Sequence, residues 1–263
     1  MEPGKEFDFS LHARNQKLSE KLGDFTFLKT GTTICAAIFD GGVVLGADTR
    51  ATAGPIVAVK DEMKIHYIAD KIWCCGAGTA ADNDKITDLI SSKIRLYQMN
   101  TNNEPRVDQC ATLFANRLFK YGGYIQAALI VGGVDFQGPS VFTIYPHGSV
   151  TKSPFTSMGS GSLAAISVLE NGWKPKMTEA DCKELVADAI FAGITNDLGS
   201  GSNVNLCVIK QEGSQFFKNY RITNQRNFQA NLSTKSLPVE VIRETVRPLS
   251  LPEVHLEILD GAA

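Results

Sequence analysis

Residues 32–50, "TTICAAIFDGGVVLGADTR", hold two apolar runs separated only by Asp40-Gly41-Gly42. Asp-Gly and Gly-Gly pairs supply the positive φ that a tight hairpin turn needs, so the spacing predicts paired strands over 32–39 and 43–50. Both runs are apolar at nearly every position rather than at alternate ones. Strands of that kind are buried on both faces, which requires a layer above their sheet and another below it. The chain has 263 residues, 43% of them hydrophobic, enough for such a core.

The rest of the pattern supplies the layers. "EMKIHYIADKIWCCGAG" predicts a second hairpin turning near Ala69-Asp70. Thr79-Ala80-Ala81-Asp82 has the spacing of a capping box and opens a helix with Ile86, Leu89, Ile90, Ile94 and Tyr97 on one stripe. A second helix starts near Pro105, with Val107, Cys110, Phe114 and Leu118 at helical spacing. Strands follow over 124–134 and 141–145, while "KSPFTSM" makes a poor strand. One helix opens at 160–162, and another is capped by Thr178-Glu179-Ala180-Asp181 with Leu185, Val186, Ala189, Ile190 and Ile194 inward. Strands over 204–209 and 216–222 end the pattern. Four strands, two helices, two strands, two helices and two strands predict an α+β fold: a four-layer αββα sandwich of two antiparallel sheets between two helical layers.

The formal net charge of -2 comes from 26 basic and 28 acidic residues scattered along the chain. It offers no basic footprint, so neither nucleic acid nor an anionic membrane is an expected partner. The six cysteines lie mostly in apolar segments without CxxC spacing, which predicts buried free thiols in a reducing compartment rather than a zinc site or a disulfide scaffold. Residues 1–31 mix both charge signs and lack an apolar stretch of signal-peptide length. In that setting the Asn231-Leu232-Ser233 sequon reads as chance. Beyond residue 223 the chain is polar and then proline-broken, with Val254, Leu256 and Ile258 alternating. Such an arm docks on a neighbouring chain or frays.

Gly76-Ala77-Gly78-Thr79-Ala80-Ala81 matches GxGxxA, but a second helix follows its helix where a dinucleotide-binding unit needs a parallel strand. HExxH, GxSxG, P-loop and EF-hand patterns are missing from the sequence, and its four histidines are isolated. Metal, cofactor and histidine-triad chemistry therefore have no foundation, and no metal or cofactor is expected.

Hairpin arithmetic leads back to the opening residues. A turn at Asp40-Gly41 or Gly41-Gly42 puts Thr32 opposite residues 49–51 and Asp48 within a residue or two of it. The second hairpin sets Lys64 opposite residues near 75, close to Gly76 and Gly78, and strand alternation puts Glu62, Lys64 and His66 on one face. Asp48 and Lys64 read equally as an ordinary structural ion pair. In strands this apolar, however, the lysine is desolvated and acts strongly on its neighbours. A threonine hydroxyl needs an adjacent base, and a free α-amino group beside an ammonium is suited to that role. One residue is then both nucleophile and base, provided that cleavage after Gly31 makes Thr32 the first residue, with glycine admitting the strained turn that attack needs. Asp197 ends a helix, where its charge opposes the helix dipole, so a role elsewhere is expected of it. Capping accounts for Ser160, and loop composition for Ser200, without chemistry.

Residues 32–222 resemble the proteasome beta subunits of the N-terminal-nucleophile hydrolase superfamily, through "TGTTI", "GADTRAT", "GAGTAADN", "MGSGS" and "NDLGSGSNV" in that order. The likeness is greatest to the class with trypsin-like activity. It implies a propeptide over 1–31, a catalytic domain over 32–222 and an arm over 223–263 that contacts a neighbouring subunit. Thr32 is then the nucleophile, released by self-cleavage between Gly31 and Thr32. Asp48 and Lys64 orient and acidify its amine; Ser160, Asp197 and Ser200 support proton transfer; and the Gly78 N–H serves the oxyanion. Substrate would add as a strand between Ala51-Thr52 and Gly78-Ala80, with Gly76 flooring a pocket that ends at Glu62 and Asp84 and favours Arg or Lys. The resemblance also implies alpha and beta neighbours in stacked heptameric rings, unfolded polypeptides as substrates, and residence in cytoplasm and nucleus. A catalytically silent structural subunit and an amidase acting on small amides are the alternatives.

Overall fold

The computed structural model describes residues 31–223, together with Ala13, Arg14, Gln16, Lys17 and Glu20 ahead of them. The expectations for the rest of the leader, for the arm and for the Asn231 sequon lie outside the described residues. The first hairpin is β1 (Ile34–Phe39) and β2 (Gly42–Asp48), paired from Ile34 with Ala47 to Phe39 with Gly42 about a turn at Asp40-Gly41. Gly41 has a φ of 93°, which a side chain would resist.

Next come β3 (Ala51–Ala53), β4 (Ile56–Val59), β5 (Ile65–Ala69) and β6 (Ile72–Gly78). The first helix pair is α1 (Ala80–Thr101) and α2 (Val107–Lys120). It is followed by β7 (Ala127–Asp135), β8 (Gly138–Ile144), β9 (Val150–Lys152) and β10 (Phe155–Met158). The second helix pair is α3 (Ser162–Gly172) and α4 (Glu179–Asn196), and β11 (Asn203–Lys210) with β12 (Gly213–Ile222) ends the series.

One antiparallel sheet runs β10-β1-β2-β11-β12 and the other β5-β6-β7-β8-β9, with β3-β4 as a separate ribbon. Period-two alternation sorts the core. From β1, Ile34 and Ala36 join Leu45, Cys75 and Ile130 between the sheets, while Cys35 and Ala37 meet Leu169, Val186 and Ile190 of α3 and α4. Behind the second sheet, Ile86, Ile90, Ile94, Cys110, Phe114 and Leu118 of α1 and α2 cover Cys74, Leu129 and Val131. The four-layer expectation therefore holds. Phe114 is fully buried, so Phe114→Ala should cost about 3–5 kcal/mol, measurable as a lowered denaturation midpoint.

Three local expectations need correction. Strands β3, β4, β9 and β10 were outside the predicted pattern. "KSPFTSM", read as a poor strand, supplies β10: Pro154 lies just ahead of it, where a missing N–H costs nothing, and its carbonyl accepts from the Ile38 N–H at 2.9 Å. The predicted strand over 43–50 stops at Asp48, because Thr49 and Arg50 leave the sheet toward the ribbon. Neither half of the expected capping box forms on α1: Thr79 makes no side-chain cap, and the Asp82 carboxylate accepts from the Gln126 N–H at 2.9 Å while the Thr79 N–H donates to the Gln126 carbonyl. The Thr178 cap forms as expected, accepting from the Asp181 N–H at 3.2 Å. Strands β6 and β7 flank the two helices and pair antiparallel, which rules out the parallel unit that GxGxxA would require.

Candidate active site

Hairpin register delivers the first carboxylate. With Ile34 opposite Ala47, the next pair outward is Thr33 and Asp48, joined by an Asp48 N–H to Thr33 carbonyl bond of 3.1 Å. Lys64, just ahead of β5, is level with Gly76, whose N–H donates to the Lys64 carbonyl at 3.0 Å. Stacking the sheets brings the two side chains together: Lys64 Nζ lies 2.7 Å from Asp48 Oδ1.

That contact is one of three. Lys64 Nζ also lies 3.1 Å from Thr32 Oγ1 and 3.3 Å from the Gly31 carbonyl, so its three protons have three acceptors. Burial pushes the Lys64 pKa below the usual lysine value, against the opposing pull of Asp48. Asp48 is fully enclosed and fully bonded: Oδ1 also accepts from the Thr33 N–H, and Oδ2 from the Arg50 and Gly201 N–H groups. Removing the Lys64 ammonium would leave this buried charge without its charge partner.

Thr32 Oγ1 donates to the Gly31 carbonyl across 2.7 Å, and the Gly31 N–H donates to Thr52 Oγ1 at 3.1 Å. The Thr32 nitrogen, an amide, donates to Ser160 Oγ at 3.0 Å. The Gly31 φ lies outside the left-handed region. Glycine is required there for close approach: a Cβ would fall 2.1 Å from the Gly199 backbone.

Ser160, Asp197 and Ser200 form a second cluster on the other side of Thr32. Asp197 Oδ2 accepts from Ser160 Oγ at 2.5 Å and from Ser200 Oγ at 2.6 Å, and Oδ1 accepts from the Gly199 N–H at 3.1 Å. Burial alone would raise the Asp197 pKa; the two hydroxyls, the Gly199 N–H and the Lys64 charge outweigh it and hold the carboxyl below its usual value. Ser160 therefore does not cap α3, whose first flanking residue is Gly161 without a side-chain cap bond.

An open pocket of about 390 Å³ adjoins Thr32, and Ala51, Glu62, Gly76, Gly78, Ala80 and Asp84 all line it. Thr52, expected with them, instead holds the Gly31 N–H. A Cβ on Gly76 would come within 2.8 Å of Asn83 Cγ, so the glycine makes room for the Asn83 amide as well as for a guest. Sequence reasoning missed Asn83, Arg50 and Met63, and treated His66 as isolated although it had the right face. Ala80, Asn83 and Asp84 at i, i+3 and i+4 of one helix are the signal that would have found Asn83. His66 Nδ1 lies 3.8 Å from Asp84 Oδ1; burial lowers its pKa, opposed by Asp84, Asp88 and Glu62. Among the described residues, no group of three or more His, Cys, Asp or Glu could hold a metal, and no helix is long and apolar enough to cross a membrane.

With this geometry in place, comparison with known proteins is informative. A family model described as "Proteasome subunit" matches residues 28–209. The chain is 52% identical over 258 residues to "Proteasome subunit beta type-7" of Dictyostelium discoideum, covering 97% of each protein. Against "Proteasome subunit beta type-7-B" of Arabidopsis thaliana the identity is 49% over 259 residues, or 98% of this chain and 94% of that one. "Proteasome subunit beta type-10" of Bos taurus is 44% identical over 261 residues, covering 97% and 95%. A buried threonine, lysine and aspartate around a Gly-Thr bond, on a four-layer scaffold with relatives matched along almost their whole length, identify the chain as a member of the proteasome subunit family, akin to its beta type.

Proposed function

We propose that the chain is a threonine endopeptidase of the proteasome core that cuts unfolded polypeptides after basic residues, in cytoplasm and nucleus, beside other alpha and beta subunits in stacked heptameric rings. One observation carries the reading: Thr32 Oγ1, Lys64 Nζ and the Gly31 carbonyl lie within 3.3 Å of one another, with Asp48 behind the lysine. A structural ion pair alone has no need of a hydroxyl and a carbonyl on the same ammonium.

In the proposed cycle, cleavage after Gly31 frees the Thr32 amine, and residues 1–31 leave as propeptide. The amine takes the Oγ1 proton as oxygen attacks the substrate carbonyl carbon. The Lys64 charge disfavours a second ammonium beside it and so keeps the amine unprotonated, ready to accept a proton, near neutrality. Charge developing on the carbonyl oxygen goes to the Gly78 N–H. The amine's proton passes to the departing nitrogen, leaving an ester on Oγ1 that water then hydrolyses. Ser160, Ser200 and Asp197 hold the amine and relay protons.

Glu62 and Asp84 supply the pocket's basic preference, with Gly76 as its floor and Ala51, Thr52 and Ala80 along the substrate edge. Asp84 is largely exposed, so its charge is partly screened. Asp84→Asn should lower the kcat/KM ratio of Arg over Leu substrates by roughly threefold to fivefold. Unchanged selectivity would remove Asp84 from the pocket's function. Peptide and small-amide panels, with intact mass of the assembled chain, test the whole reading. Retention of residues 1–31 in working complexes would favour a silent structural subunit, and activity on small amides alone would favour an amidase.

A further inference from the structure

We propose that Thr33 is a positioning residue for this reaction, its hydroxyl fixing the direction in which Ser200 points its single proton; the inference rests on the peptidase reading above. Thr33 is fully buried and touches both carboxylate clusters. Its N–H donates to Asp48 Oδ1 at 2.9 Å, and its Oγ1 lies 2.6 Å from Ser200 Oγ.

Taken alone, either oxygen could donate in that last bond, but counting protons decides between them. A serine hydroxyl has one proton, and that of Ser200 lies on the bond to Asp197 Oδ2, which only accepts while ionised. Ser200 must therefore accept from Thr33. The donor chain runs from Thr33 Oγ1 to Ser200 Oγ to Asp197 Oδ2, where the Ser160 proton also arrives. Ser160 is left to accept from the Thr32 nitrogen.

Packing holds the donor in place without needing its hydroxyl. A Cβ on Gly161 would fall 2.0 Å from Thr33 Oγ1, and one on Gly193 would fall 2.4 Å from both Oγ1 and Cγ2. Two glycines thus form a slot for a β-branched side chain, which is stiff about χ1. Valine keeps the β-branched outline but puts a methyl in place of the hydroxyl, so it cannot donate to Ser200 and must stand back from the 2.6 Å hydrogen-bond distance.

The test uses Thr33→Val and Thr33→Ser in the full chain within its complex, each also combined with Ser200→Ala. Intact mass normalises activity to processed chain, and kcat and KM are measured on a peptide with Arg before the cut. Thr33→Val should lower kcat about fivefold with KM within about twofold, and Thr33→Ser, which keeps the hydroxyl, should recover most of that loss. In the Ser200→Ala background the valine effect should shrink to less than about twofold. Failure of the valine variant to process itself, with the serine variant processed, would support the same role at the first turnover. A wild-type kcat for Thr33→Val, a serine variant as slow as the valine, or an undiminished effect beside Ser200→Ala would overturn the inference. A Thr32→Ala control that still cleaves removes the peptidase reading and this role together; an inert control beside an unaffected Thr33→Val removes this role alone.

Discussion

Thr32→Ala is expected to leave residues 1–31 attached and to reduce peptide cleavage by about a thousandfold or more, because nucleophile and base reside in one residue. The fold should survive. Among the described residues Thr32 Oγ1 bonds to the Gly31 carbonyl and Lys64 Nζ, whereas Asp48, which anchors the hairpin end, keeps its lysine and three backbone donors. Intact mass should therefore find the longer chain assembled and inert. Assembled Thr32→Ala complexes that shed the leader and cleave Arg peptides at the wild-type rate would end the mechanism.

Lys64→Ala should fail for a different reason and take stability with it. Deleting the ammonium leaves Asp48 buried without its charge partner, an imbalance worth roughly 3–5 kcal/mol where one member of a buried pair is removed. Activity should fall by about a hundredfold or more, since the amine loses the charge that keeps it unprotonated. Combining Lys64→Ala with Asp48→Asn separates the two effects. Stability should return in part because no charge is stranded, while cleavage should remain lost. Thermal unfolding and kcat measured on both variants check this, and restored cleavage in the double variant would contradict the assigned role of the ammonium.

How much of this was legible in the sequence depends on how local the cause is. The approach of Asp48 to the Thr32-Thr33 pair follows from a tight turn at Asp40-Gly41, and register arithmetic carries it seven residues back along each strand. Lys64 is legible for the same reason, its hairpin turning at 70 and 71. Asp197 could be suspected, because a carboxylate at a helix C-terminus is locally unfavourable, but although Ser200 follows it by only three residues, Ser160 comes from a loop 37 residues away that no local pattern relates to either. Both serines entered by resemblance. Strand β10 escaped because its pairing with β1 is nonlocal and its proline marks a boundary rather than an interior. Thr33 was read as the start of a strand; its hydroxyl gains a role only from nonlocal neighbours, Gly161 and Gly193 that pack it and the Ser200 hydroxyl beside it.

Because alternate residues of β1 serve two separate cores, the first hairpin tolerates no error of one place. A slip would turn Ile34 toward the helices, push Cys35 between the sheets and at the same time carry Asp48 past Thr33. Solvation and chemistry thus share a single alignment, so a misthreaded molecule is discarded as misfolded long before it can become a poorly aimed scissor.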